Sequence, residues 1–247
     1  MTVTPRRAPV VASARRPGRY LLAGGVIAAA AGAWLVLTVT HSGGHHHAVA
    51  VGPALTGWLI MIIAMMLPTA LPLLELVRRL VPGRAAIVAL VAAIYVAVWT
   101  AAGAVLVAGT VYASTWLAAV RSQTLLGLAL ILAGSWQFSA VKDRCLTVCR
   151  TPRGIAMTRW RGTRPAGVEA AAIAGVYAAS CVGCCWALMA VGLVTGAASL
   201  VAMALLTAVM ATERLTRHGR ILVRPAGAAA LILGTSFLLG VDKIFAG

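Results

Sequence analysis

Cys181, Cys184, Cys185 and Met189 recur at i, i+3, i+4 and i+8 in the stretch CVGCCWALM. On a helix this spacing sets four sulfur atoms on one face. A second sulfur group stands upstream in WLIMIIAMMLPTALP, where Met61 and Met65 are one helical turn apart, Met66 is adjacent and Pro68 follows. Thiolates and thioethers are soft donors that select Cu(I), or another soft transition metal, over magnesium or calcium. The pattern is that of one soft-metal site fed by two helices. The bland alternative is packing, since cysteine behaves as a small apolar residue and methionine as a flexible gap-filler. All five cysteines fall in two tight groups, and that clustering favours chemistry.

The other cysteine group is Cys145 and Cys149 in KDRCLTVCRTP, an i, i+4 pair expected on a short helix. Lys142, Arg144 and Arg150 flank it and favour thiolates, which makes the pair candidate metal ligands or reactive thiols. HSGGHHH carries His41, His45, His46 and His47, a tract suited to weak capture of borderline divalent ions. Glu213, directly before Arg214, is the acidic residue placed to join an ion path or the metal site. Glu75 and Glu169 fall near helix ends, where pairing with arginine is the ordinary account. The chain carries no Gly-rich phosphate loop, no Ser-His-Asp arrangement and no paired carboxylates, so neither ATP-driven pumping nor acid–base catalysis is expected.

These residues need helices in lipid to position them. Of 247 residues, 61% are apolar and 11% charged, a balance foreign to water-soluble domains. Runs of about 20 apolar residues cross a bilayer as helices. The predicted fold is an all-α polytopic bundle of seven spans, Tyr20–Thr40, Ala54–Leu76, Ala85–Val111, Thr124–Ala140, Gly167–Thr195, Ala197–Thr212 and Pro225–Leu239. Residues 1–19 read as a basic, disordered cytoplasmic tail and 20–247 as a single transmembrane domain. The first span is too long for a signal peptide's apolar region and reads as an uncleaved anchor. With the N-terminus inside, the Lys and Arg residues collect on the cytoplasmic side and only Arg121 and Lys243 fall outside. The net charge of +16 is then a topology signal that also meets anionic lipid, and nucleic acid is not an expected partner. Ala171, Gly175, Ala179 and Gly183 recur every four residues, a small-residue stripe that would admit a close partner helix. Val141 to Ala166 reads as the longest polar loop.

WLIMIIAMMLPTALP, KDRCLTVCRTP and CVGCCWALM followed by Glu213 and Arg214 resemble, in order and spacing, an uncharacterised bacterial family of predicted metal-binding integral membrane proteins. The resemblance covers about Trp58 to Leu215, with a motif core of 54–215. It rests on Trp58, Met61, Met65, Met66, Pro68, Lys142, Cys145, Cys149, Arg150, Pro152, Cys181, Gly183, Cys184, Cys185, Trp186, Met189 and Glu213. It implies a multi-pass protein of the bacterial inner membrane with a metal role. The expected function is therefore binding of Cu(I) or a similar soft ion, for handling, insertion or transport. The expected partners are the lipid bilayer, the metal and a membrane protein or metallochaperone. Two alternatives stand beside it: a membrane thiol–disulfide oxidoreductase using the C-x-x-C pair Cys181 and Cys184, and an assembly subunit whose sulfurs are inert.

Overall fold

The computed structural model describes residues 18–42, 51–117, 120–194 and 200–240, and among these every regular element is helical. In chain order they are α1 (Gly18–Ser42), α2 (Val51–Met61), α3 (Leu71–Leu80), α4 (Ala85–Leu117), α5 (Ser122–Gln137), α6 (Ala140–Arg150), α7 (Pro152–Arg159), α8 (Ala166–Val194), α9 (Leu200–Leu215) and α10 (Gly219–Leu239). Of the basic tail, residues 1–17 lie outside the described residues, as do His45, His46 and His47, residues 195–199 and Lys243.

Among the described residues, four helices are long and apolar enough to cross a membrane: Tyr20–Thr40, Ala85–Tyr112, Ala166–Val194 and Gly219–Leu239. Two bent pairs raise the number to six if each is one span, Gly52–Met66 with Pro68–Leu80 at 45° and Ser122–Gln137 with Ala140–Arg150 at 69°. The remaining predicted span corresponds to α9, whose 16 residues measure about 24 Å. That is short of the roughly 30 Å hydrocarbon thickness. The last helix starts six residues earlier than Pro225, which lies inside it and leaves the Ile221 carbonyl without its helical donor.

The bend before α3 follows from Pro68. Its missing N–H breaks the helical ladder, and the chain answers with a π turn over Ile62–Met66, closed by Leu67 N–H to Ile62 O at 3.0 Å, then a 3₁₀ turn over Pro68–Ala70. Ala70 N–H turns to Leu67 O, so the Met66 carbonyl is left for side chains: the Thr69 hydroxyl donates to it at 2.7 Å and the Tyr95 hydroxyl at 3.3 Å. The freed carbonyl is a polar anchor in the core.

Helix α8 is the axis of the molecule and packs on α4, α5, α6, α7 and α9. Its buried face runs through Ala170, Ala174, Tyr177, Ala178, Cys181, Cys184, Cys185 and Met189. The stripe Ala171, Gly175, Ala179 lies one residue on, about 100° round the helix, and is only partly covered; Gly175 has open space above it. Only Gly183 of that stripe meets a neighbour closely, the Cys145 sulfur. Tight small-residue packing is found elsewhere. Gly127 and Gly134 of α5 face the backbone carbonyls of Gly234 and Gly227 of α10, and the reverse, so the two helices touch main chain to main chain. A third close approach lets the Trp58 indole lie directly over Gly103 of α4 and donate to Trp99 O at 3.0 Å.

The predicted loop 141–166 is mostly helix. Ser139 caps α6 by accepting from Lys142 N–H at 3.1 Å, and α6 turns back against α8, burying Lys142, Leu146 and Cys149. Its polar sequence had suggested solvent. The reason it packs is that its one buried charge has a partner.

Candidate metal centre

The thiols meet where α6 crosses α8. Cys149 Sγ stands 3.8 Å from Cys184 Sγ, and Cys184 Sγ stands 3.2 Å from Cys185 Sγ. Cys181 stands one turn before Cys184 and Cys185 on the same buried face, and its carbonyl accepts from the Cys184 thiol at 3.2 Å. All four are buried, at 4% exposure or less, and all five cysteines are free. The sulfur group is therefore wider than the α8 face alone, since one thiol comes from the segment read as a loop. Cys145, one turn back on α6, is half-buried and sits on Gly183.

With metal–sulfur bonds of about 2.3 Å, two thiolates on a tetrahedral ion stand about 3.8 Å apart. The Cys149–Cys184 pair has that separation; Cys184 and Cys185 would have to part by about 0.6 Å. As the side chains stand, no group of three or more His, Cys, Asp or Glu among the described residues is disposed to hold an ion. The thiols touch one another rather than surround a point. The donor set nonetheless suits a soft ion, with four buried cysteines and no carboxylate among them.

The methionines are distributed around this group. Met65 and Met66 are buried in the same core, Met61 is buried with its sulfur beside Gly192 of α8, and Met189 is buried one turn from Cys185. Gly192 is seven residues beyond Cys185, about 10 Å along the axis, so Met61 does not share a point with the thiols. The Met66 sulfur faces the Arg214 guanidinium at 3.9 Å, a position that opposes a second cation there.

Glu213 is not turned to the thiols. Its carboxylate accepts from Lys142 Nζ and from Gln137 Nε2, each at 2.8 Å, with Glu213 and Lys142 both 1% exposed. The carboxylate is spent on a clasp that joins α5, α6 and α9. Arg150 reinforces it by donating to the carbonyls of Glu213, Thr216 and Arg217 at the end of α9. Trp136 adds an indole hydrogen bond to Gly183 O at 3.0 Å and an edge contact with Trp186.

Three residues that sequence reasoning did not assign complete the surroundings. The Tyr95 hydroxyl lies 2.9 Å from Cys181 Sγ. The Tyr177 hydroxyl accepts from Arg214 Nη2 at 3.2 Å and donates to Thr69 O at 3.4 Å. Arg214, counted in the sequence only as a cytoplasmic charge, is buried and donates to the Thr69 hydroxyl as well. A signal for the tyrosines was available: Tyr95 and Tyr177 stand deep inside apolar runs, whereas Tyr20 and Tyr112 stand near span ends and are exposed.

The model of a protein family named PpoB2, described as copper chaperone, matches residues 55–237, well over half of the chain and all of the elements that build the thiol group. This chain belongs to the PpoB2 copper chaperone family. No curated protein and no solved structure matches it. The PpoB2 match begins at α2 and ends inside α10, so it leaves out α1 and the histidine tract.

Proposed function

We propose that this chain is a membrane copper chaperone that holds Cu(I) on the thiols of Cys149, Cys181, Cys184 and Cys185 and passes it on by exchange through Cys145. The observation that carries the reading is the meeting of the buried Cys149 sulfur of one helix with those of Cys184 and Cys185 of another, with Cys181 buried one turn away. A chaperone must bind a soft ion firmly and still release it. Sulfur ligands supply the firm binding. A further thiol, half-exposed and one turn from Cys149, supplies the exit, because each new sulfur can replace an old one without the ion meeting water. Met65 and Met189 are the buried thioethers offered to the ion, the Met66 sulfur being taken up by Arg214, and Met61 is a sulfur station about 10 Å away.

The bacterial inner membrane with the N-terminus inside is the setting that accounts for the basic ends of α3, α7 and α9. In it α9 is a seventh, short span. The thiols then lie level with the cytoplasmic end of α9, where Glu213 and Arg214 stand, and the expected donor or recipient is a cytoplasmic or membrane copper protein.

The test is metal analysis of the purified full chain after anaerobic loading with Cu(I), with the triple variant C181S/C184S/C185S as comparison and thiol trapping on both. Copper near one per chain in the native protein, lost in the variant, supports the reading. No copper in either, with a trapped disulfide in the native protein, transfers support to a thiol oxidoreductase; neither signal leaves the thiols inert.

A further inference from the structure

Arg214 is a buried positive charge with no carboxylate partner among the described residues. It is 5% exposed, its guanidinium reaches only neutral groups, the Thr69 and Tyr177 hydroxyls and the Met66 sulfur, and its Nε has no partner. Its charge also lies 6.0 Å over the Tyr177 ring. Every carboxylate among the described residues is engaged elsewhere. Glu75 holds Arg78 and Arg79, Asp143 faces Arg220, Glu213 holds Lys142, and Glu169 accepts from the backbone N–H groups of Gly162, Thr163 and Arg164. Leaving a cation unpaired in a low-dielectric core costs several kcal/mol, so folding alone would favour an apolar residue at this position.

Geometry ties Arg214 to the thiols through two tyrosines: its Nη2 donates to the Tyr177 hydroxyl, the Tyr177 and Tyr95 rings stand 6.1 Å apart, and the Tyr95 hydroxyl lies 2.9 Å from Cys181 Sγ. Cu(I) held by two thiolates is an anion of net charge minus one. We propose that Arg214 is the fixed counter-ion of the thiolate–metal complex, placed so that the core is electrically balanced when the ion is bound and unbalanced when it is not. The inference rests on the copper reading above and deepens it. Tyr95 fits the same picture: its single hydroxyl proton lies between Met66 O at 3.3 Å and Cys181 Sγ at 2.9 Å, and a charged sulfur draws it toward Cys181.

The arrangement gives Arg214 opposite effects on the two states, which a purely structural arginine would not have. The experiment uses the full chain in detergent, with Arg214→Met and Arg214→Lys. Cu(I) affinity is measured by competition with a chromophoric Cu(I) chelator, and thermal stability is measured without metal. Arg214→Met is expected to weaken Cu(I) binding by about 10- to 100-fold, as loss of one charge contact at an effective dielectric near 20 implies, while the metal-free protein melts at the same temperature or higher. Arg214→Lys restores most of the affinity. Proton release on anaerobic Cu(I) loading of the native protein, followed with an indicator dye in weakly buffered solution, reads the charge of the centre without any variant, with two protons per copper expected. Affinity within about threefold of native in Arg214→Met, a lysine variant as weak as the methionine one, or displacement of one proton or none each overturns the proposal. A native chain that binds no Cu(I) overturns the copper reading and this inference together, whereas tight native binding unchanged in Arg214→Met overturns this inference alone.

Discussion

Replacing Lys142 by Met is expected to be the most damaging single change outside the thiols. Lys142 Nζ and Glu213 Oε2 are 2.8 Å apart, and each side chain is 1% exposed, so removing the lysine leaves a carboxylate in the core with one remaining donor, Gln137 Nε2. Breaking a buried ion pair from one side costs about 3–5 kcal/mol, because the surviving charge keeps its desolvation penalty and loses its compensation. Removing both charges abolishes that penalty, and K142M/E213L is expected to recover to within about 1 kcal/mol of native, with Gln137 alone left short of a partner. The assay is reversible unfolding of the detergent-solubilised chain in a denaturant series, completed as a double-mutant cycle with E213L. A coupling energy near zero, or a double variant as unstable as the sum of the singles, would refute the clasp. The same double variant tests the sequence expectation that Glu213 is a metal ligand: the clasp geometry predicts unchanged copper stoichiometry.

Gly103→Ala should place a methyl inside the Trp58 indole, costing about 1–3 kcal/mol by overpacking and shifting tryptophan fluorescence, whereas Gly57→Ala, with open space around it, should change neither. Gly134→Leu should push α5 from α10, since its added atoms meet Gly227 O and Leu231; loss of a disulfide cross-link between cysteines engineered on the outer faces of these helices would report the separation. Maleimide labelling of the native chain should mark Cys145 first and leave Cys149, Cys181, Cys184 and Cys185 unlabelled until the protein is unfolded, read by mass as one adduct against five. Equal labelling of the buried cysteines would contradict their enclosure.

Much of this architecture was legible from the residue string, and the failures have physical causes. Apolar run length locates α1, α4 and α8 because lipid leaves the backbone no alternative, and Pro68 announces the break that exposes the Met66 carbonyl. What misled was polarity as a guide to exposure. KDRCLTVCRTP is charged, so its segment reads as a loop, yet Lys142 is neutralised by Glu213 from a helix 71 residues away. No local pattern shows a partner so remote. The same blindness hid Arg214, whose charge on a helix end looked like a topology signal, and hid the Lys142 partner of Glu213, an acid expected to join an ion path or the metal site. Helical periodicity did bring Cys181, Cys184 and Cys185 to one face. It could not tell which neighbouring face would meet them, so Cys149 was set at the membrane surface and Met61 at the thiols.

X-ray absorption at the copper edge, on the native chain loaded anaerobically with Cu(I), tests the central claim most directly. The account predicts a first shell made of sulfur alone, retained when Cys145 is changed to Ser and lost when Cys184 is. Nitrogen or oxygen ligands, or a spectrum indifferent to Cys184, would contradict it.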